Sequence, residues 1–280
     1  MDNTPRLATA SNEIGSLYIE LVKKCVADLM YEHSELVPVV PHGLVRHLIA
    51  RLLARRGLQI VRRSPVDPET RLNGSHWPLV AHTMIGKSRL DNLQDCIKDV
   101  LISDVPGDLI ETGVWRGGAT IFMRAILRTF GVTDRKVWVA DSFEGVPPPD
   151  PVKYPRDYGD EHHTVASLAV SLEEVMANFA RYGLLDDQVQ FLKGWFRDTL
   201  PRAPIDKVAV MRLDGDMYES TMDAFTSLYP RLSVGGYVII DDYGAVPACK
   251  RAVHDFRQGN RIEDALMPID WTGVYWKRSQ

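Results

Sequence analysis

The residues in this chain best placed to do chemistry are acids: Glu111, Asp141, the pair Asp214 and Asp216, and the pair Asp241 and Asp242. Each follows or ends a short apolar run that reads as a buried β-strand. Val208-Ala-Val-Met-Arg-Leu-Asp-Gly-Asp216 delivers one pair and Gly235-Gly-Tyr-Val-Ile-Ile-Asp-Asp242 the other. In a parallel sheet these strand ends open onto one edge. Carboxylates converging there repel one another unless a cation joins them. Oxygen-only donors suit a hard divalent metal such as Mg²⁺. One aspartate pair is often a cap or a turn, but two pairs at neighbouring strand ends point to a metal site. A strand alternates its faces, so Asp214 and Asp216 reach one site only if the chain turns at Gly215, which glycine permits.

The other two acids suggest a different ligand. In Asp108-Leu-Ile-Glu-Thr-Gly-Val-Trp-Arg-Gly-Gly-Ala-Thr120, Leu109 and Ile110 end a strand, and Gly113, Gly117 and Gly118 permit a tight turn. Ile121, Phe122, Ala125, Ile126 and Leu127 then have helical spacing. Glu111 stands on that turn. A pyrophosphate wants bare amides at a positive helix end, and a carboxylate would repel it. An ammonium or sulfonium centre would be attracted instead, and S-adenosylmethionine carries both. Asp141, at the end of Lys136-Val-Trp-Val-Ala-Asp-Ser142, occupies the place from which a carboxylate accepts hydrogen bonds from a ribose. A helix-capping aspartate would explain Asp141 alone. Together the two acids favour a nucleoside with a cationic tail.

These positions call for an α/β protein with a doubly wound, mostly parallel sheet. The chain divides into an N-terminal part, 1–76, and the domain that carries the acids, 77–280. In the first part, Ser11 or Asn12 is expected to cap a helix whose stripe is Ile14, Leu17, Tyr18, Leu21, Val22, Cys25, Leu29 and Met30. Residues 36–66 contain no acid but hold Arg46, Arg51, Arg55, Arg56, Arg62 and Arg63 beside Leu44, Val45, Leu48, Ile49, Leu52 and Leu53. This reads as a basic amphipathic helix bracketed by prolines, either packed on its apolar underside or serving as a lid or contact surface. A helix with Leu90, Leu93, Cys96, Ile97 and Val100 precedes the first strand. After Asp141, Phe143-Glu-Gly-Val-Pro-Pro-Pro-Asp-Pro151 excludes regular structure. A polar tract with Tyr154, Tyr158, Asp160, Glu161, His162 and His163 follows, its two histidines read as surface residues. Residues 168–182 should be helical and Val189–Gly194 a strand, after which Trp195 and Phe196 could sandwich an adenine or simply pack on a neighbouring helix.

With 280 residues, 45% hydrophobic and 25% charged, the chain has the composition of an ordinary globular protein. A net charge of −4 provides no basic field for nucleic acid. Cys25, Cys96 and Cys249 form no CxxC pair and read as reduced thiols in the cytoplasm. Met1–Arg6 lacks the features of a signal peptide, and no apolar stretch is long enough to span a membrane.

Ala81-His-Thr-Met84, Glu111-Thr-Gly-Val-Trp-Arg-Gly-Gly118, Tyr182-Gly-Leu-Leu-Asp-Asp187, Asp214-Gly-Asp216 and Ile240-Asp-Asp-Tyr243 resemble the macrocin-type O-methyltransferases. The resemblance runs from about Trp77 to Trp276; residues 36–66 look unlike, and longer than, the family's lid. It implies a class I methyltransferase fold, Rossmann-like, with an N-terminal helical lid. It further implies Mg²⁺- and S-adenosylmethionine-dependent methylation of a deoxysugar hydroxyl on a glycosylated small molecule in antibiotic biosynthesis, by a homo-oligomer. By resemblance Asp214, Asp241 and Asp242 hold the metal and Asp216 is the general base. Thr83, Met84, Glu111, Thr112, Gly113, Trp115, Gly117, Asp141, Ser142, Gly194 and Trp195 hold the cofactor. A catechol-like acceptor is the second choice. A dinucleotide oxidoreductase would want Gly-x-Gly-x-x-Gly at the first turn, and a metal phosphoesterase would leave Glu111 and Asp141 unexplained.

Overall fold

Short aliphatic runs separated by helical segments become alternating strands and helices, as the spacing requires. The computed structural model describes residues 4–30 and 34–280. In chain order the elements are α1 (Thr4–Val26), β1 (Ser34–Pro38), α2 (Leu44–Ala54), β2 (Val61–Pro65), α3 (Pro68–Asn73), α4 (Lys87–Ile102), β3 (Asp108–Thr112), α5 (Gly118–Thr129) and β4 (Val137–Asp141). There follow α6 (Leu172–Arg181), β5 (Val189–Lys193), α7 (Phe196–Thr199), β6 (Val208–Leu213), α8 (Tyr218–Leu228), β7 (Leu232–Ile240), α9 (Pro247–Gly259), β8 (Met267–Pro268) and β9 (Val274–Lys277).

Seven strands form one sheet in the order β5-β4-β3-β6-β7-β9-β8. The first five are parallel, β9 runs antiparallel to β7, and β8 antiparallel to β9. The strand order reverses between β3 and β6, so a crevice opens there at the carboxyl edge. Register sets Glu111 beside Arg212 and Thr112 beside Leu213. One face is covered by α1, α4, α5 and α6 through Ile19, Val22, Leu90, Leu93, Phe122 and Phe179. The other is covered by α8 and α9 through Phe225, Leu228, Val253 and Phe256. Strand β6 is buried along its whole length, as befits the centre of a sheet with helices on both faces. Among the described residues no helix is long and apolar enough to cross a membrane.

Three expectations need correction. The first helix begins at Thr4, not after a cap at Ser11 or Asn12. Its inner face is Ile19, Val22, Val26 and the stem of Lys23, which leaves Ile14, Leu17 and Leu21 exposed. Residues 36–66 are not one helix. Strands β1 and β2 pair antiparallel around α2, because Pro38, Pro41 and Gly43 stop a helix on one side and Gly57 on the other. Helix α2 fully buries none of its residues, and Leu44, Val45 and Leu48 of its apolar side are exposed among the described residues. The helix after the polar tract starts at Leu172, where the Ser171 hydroxyl accepts the Glu174 N–H at 3.2 Å, four residues later than expected.

Candidate active site

The carboxyl ends of β3, β4, β6 and β7 open into one cavity of about 600 Å³. Met84, Gly113, Trp115, Asp141, Ser142, Trp195, Asp214, Asp216, Asp241 and Asp242 all line it. Thr83, Glu111, Thr112, Gly117 and Gly194, also expected at the site, are not part of its lining. Thr83 instead packs behind the glycine turn, where a side chain on Gly118 would meet it and the His82 carbonyl.

Arg212 organises the acids. It is 1% exposed, and its Nη1 donates to Glu111 Oε1 and, at 2.8 Å, to Asp214 Oδ2. Its Nη2 donates to Asp241 Oδ1. Arg89 of α4 reaches in from the other side: Nη1 donates to Asp241 Oδ2 at 2.5 Å and Nε to Asp270 Oδ2 at 2.9 Å. Burial works against ionisation of Asp241, but Arg212 and Arg89 outweigh it and hold its carboxyl below the usual range. Burial, with Asp241 adding repulsion, holds Asp214 well above that range. Burial, with repulsion from Asp216 and Asp214, does the same to Asp242. One oxygen from each of Asp214, Asp241 and Asp242 lies within 4.8 Å of the other two. Carboxylates that close, two of them held from ionising, are a set that a divalent cation would relieve.

Glu111 therefore differs from its expected part. It is a strand residue bonded to Arg212, not a free acid on the turn. Its second oxygen, Oε2, and the neighbouring Thr112 hydroxyl are buried without a hydrogen-bond partner. Such orphans are costly unless a ligand satisfies them. Burial lifts the Glu111 carboxyl to about 7 against the pull of Arg212. The arginines were readable in principle. Arg212 interrupts an otherwise apolar strand, and a buried charge demands partners.

The glycine turn is held from several directions. Gly113 has φ 82°, and a Cβ there would collide with the Asp214 carbonyl. The two Asp141 oxygens accept the N–H groups of Val114 and Phe143, each at 2.8 Å, tying the turn to the end of β4. Trp115, at φ 48°, is fixed by its Nε1 donating to the Ser167 carbonyl at 2.8 Å and by the Arg116 guanidinium 4.2 Å above its ring.

At the acid pair on β6, the left-handed residue is Asp216 (φ 56°), not Gly215. Glycine suits 215 for space, since a Cβ would lie a tight 3.0 Å from Ser220 Cβ and 3.3 Å from the Phe196 ring. Burial pushes Asp216 up to about 6, against the pull of His162. The turn is braced by Asp157, which is buried and lies far off in sequence. Its oxygens accept the N–H groups of Tyr218 at 2.7 Å and Glu219 at 3.0 Å. They cap α8, whose own N-cap residue Met217 offers no side-chain bond. The polar tract is thereby strapped over the cavity. Within it His162 bonds Asp160 at 2.8 Å and lines the cavity, while His163 is exposed, so only one of the two histidines is a plain surface residue.

A central mostly parallel sheet, a glycine turn after β3, an acid ending β4 and a carboxylate trio at β6 and β7 are the features the motifs demanded. The family described as Macrocin-O-methyltransferase (TylF) matches residues 15–278. The chain belongs to this family. It is 52% identical over 266 residues to the 8-demethyl-8-(2,3-dimethoxy-alpha-L-rhamnosyl)-tetracenomycin-C 4'-O-methyltransferase of Streptomyces olivaceus, covering 94% of this chain and 93% of the relative. It is 50% identical over 274 residues to the demethyldecarbamoylnovobiocin O-methyltransferase of Streptomyces niveus, covering 98% and 97%. The solved structure of the O-methyltransferase NovP superposes with a TM-score of 0.83 at 49% identity, over 95% of this chain and all of that one. The macrocin-family fold is thus the class I methyltransferase fold, and that fold implies S-adenosylmethionine as methyl donor. The residues present fit it: an orphaned carboxylate oxygen at Glu111 for a cationic group, and a turn at Gly113 stripped of its Cβ.

Proposed function

We propose that this macrocin-family enzyme transfers the methyl of S-adenosylmethionine to a hydroxyl of a deoxysugar borne by a glycosylated natural product. The observation that carries the reading is the carboxylate trio beside the glycine turn, in a chain about half identical to relatives named for such substrates. Glu111, outside the cavity's lining but with a buried orphaned oxygen, would answer the cofactor's cationic end, and Asp141 and Ser142, which line the cavity, would serve the ribose. Met84, Trp115 and Trp195, which also line the cavity, would contact the rest of the cofactor. Asp214, Asp241 and Asp242 would hold Mg²⁺, which when bound supplies Lewis-acid polarisation of the acceptor hydroxyl. Asp216 accepts that hydroxyl's proton; the strapped loop and Arg212 keep its turn and the trio in place.

The charge balance supports the metal. Glu111, Asp214, Asp216, Asp241, Asp242 and Asp270 are six carboxyl groups, and Arg89 and Arg212 pair with four of them, Glu111, Asp214, Asp241 and Asp270. Asp242 is the cleanest probe, because Asp241 is also committed to both arginines and its loss would damage the fold. EDTA should abolish methyl transfer to a sugar acceptor, and Mg²⁺ should restore it in the wild type. Asp242→Asn should lose Mg²⁺ binding by calorimetry while keeping S-adenosylmethionine affinity. Full turnover in a chelated sample sinks the metal.

Residues 1–76 we take as an N-terminal arm and lid to the methyltransferase domain of 77–280. The exposed side chains of Leu44, Val45 and Leu48 on α2, at 65–90%, support covering by a second copy of the chain. The free thiols Cys25, Cys96 and Cys249 support a cytoplasmic setting. Sedimentation velocity at micromolar concentration should give a mass above the 31.6 kDa monomer. A monomer throughout would remove the oligomer.

A further inference from the structure

Part of the cavity's lining carries none of the residues assigned above to metal, base or cofactor. Trp77 and Trp271 belong to it and are 52% and 53% exposed, with Val246, Pro247 and Ala248 also in the lining. Trp271 is not loose. Its Nε1 donates to the Asn73 carbonyl at 3.0 Å. Its neighbour Asp270 is gripped by Arg89 at 2.9 Å and accepts the N–H groups of Thr272 at 3.1 Å and Gly273 at 2.8 Å. Arg89 also holds Asp241, so this indole is anchored through two side chains to the carboxylate trio.

A large flat apolar group held rigid and half bare at a cavity mouth is a pre-formed contact surface. The cofactor does not account for it. Asp141 ends β4 and Asp241 directly follows β7, and β3 and β6 lie between them. Three strand spacings put the two about 14 Å apart. Trp271 therefore belongs to the acceptor's side, next to the trio and away from the ribose end, and Trp77 shares the lining of the same cavity.

We propose that Trp271 and Trp77 form a shelf for a flat, apolar aglycone, so that the enzyme selects glycosides of that class and seats their sugar against Asp216. The proposal rests on the sugar O-methylation reading above. It assigns the two residues to specificity: they bind the aglycone equally before and during methyl transfer, so they set KM and leave kcat alone.

The test compares 4-nitrophenyl α-L-rhamnoside with methyl α-L-rhamnoside at saturating S-adenosylmethionine and Mg²⁺. The wild type should show a KM about tenfold lower for the aryl glycoside, equivalent to about 1.4 kcal/mol. Trp271→Ala and Trp77→Ala should each erase most of that preference, with kcat and the methyl glycoside's KM within about twofold of wild type. Trp271→Phe, which keeps a flat ring, should retain much of it. Cofactor affinity by calorimetry shows that each variant is folded; if Trp271→Ala loses it, Trp271→Phe and Trp77→Ala decide. A preference that survives in the alanine variants, or equal KM values for the two glycosides in the wild type, overturns the shelf alone. No transfer to either glycoside overturns the sugar reading and the shelf together.

Discussion

Replacing Arg212 with methionine lowers the free energy of unfolding by about 3–5 kcal/mol, the cost of breaking a buried ion pair by removing one partner. Arg212 is 1% exposed and is bonded to Glu111, Asp214 and Asp241 at once. Methionine fills much of the same volume, so the cavity left behind is a minor contribution. What remains is a buried group of carboxylates in which Arg89, paired with Asp241 and shared with Asp270, opposes the repulsion at one member. Against a typical total of about 5–15 kcal/mol, that loss is large. Urea denaturation should show a lower midpoint with an unchanged slope. Adding Glu111→Gln to the variant should recover part of the loss, because it removes one of the repelling charges. A midpoint equal to wild type would show that the arginine is incidental.

Asp216→Asn should reduce kcat by roughly 10²-fold or more, the usual worth of a positioned general base. Asparagine keeps the shape, and like aspartate it tolerates the left-handed backbone at φ 56°, so the turn survives. With its carboxyl at about 6, Asp216 is ionised at neutral pH and able to take a proton. S-adenosylmethionine affinity should be unchanged, since the lost interaction belongs to the transition state. Asp214→Asn should instead weaken Mg²⁺ binding. The decisive measurement is single-turnover methyl transfer at saturating Mg²⁺, with metal affinity measured alongside for both variants. Wild-type turnover in Asp216→Asn, or full rate regained with extra Mg²⁺, would mean that Asp216 is no base.

The strand ends were readable because a buried parallel strand is a continuous apolar run, and an acid at its close has few bland explanations. Trp138 and Val139, or Ile239 and Ile240, leave little doubt where Asp141 and Asp241 must sit. Less readable was what answers those acids. Arg89 lies 152 residues from Asp241, and Asp157 lies 61 from Tyr218; no local pattern encodes such distances. Residues 36–66 failed for another reason. Apolar residues at helical spacing identify a face but not its partner, and Pro38, Gly43 and Gly57 outweighed the periodicity at its edges. Asp216 shows a subtler miss. Glycine in Asp-Gly-Asp suggested the bend, yet the neighbouring aspartate bends and the glycine makes room for Ser220 and Phe196.

The pairing of Glu111 with Arg212 across β3 and β6 also bears on how the chain finds its fold. The neighbouring positions on these strands, Leu109 to Ile110 and Val208 to Met211, are all aliphatic or methionine and would accept one another in several alignments. Slipping β6 by one residue would turn Arg212 to the opposite face of the sheet. A lone guanidinium would then be buried among Phe225, Leu228 and their neighbours, at a cost that no gain in apolar contact offsets. A one-residue slip of the two central strands is thereby penalised, so a residue that holds the acids together also disfavours misassembly of the sheet.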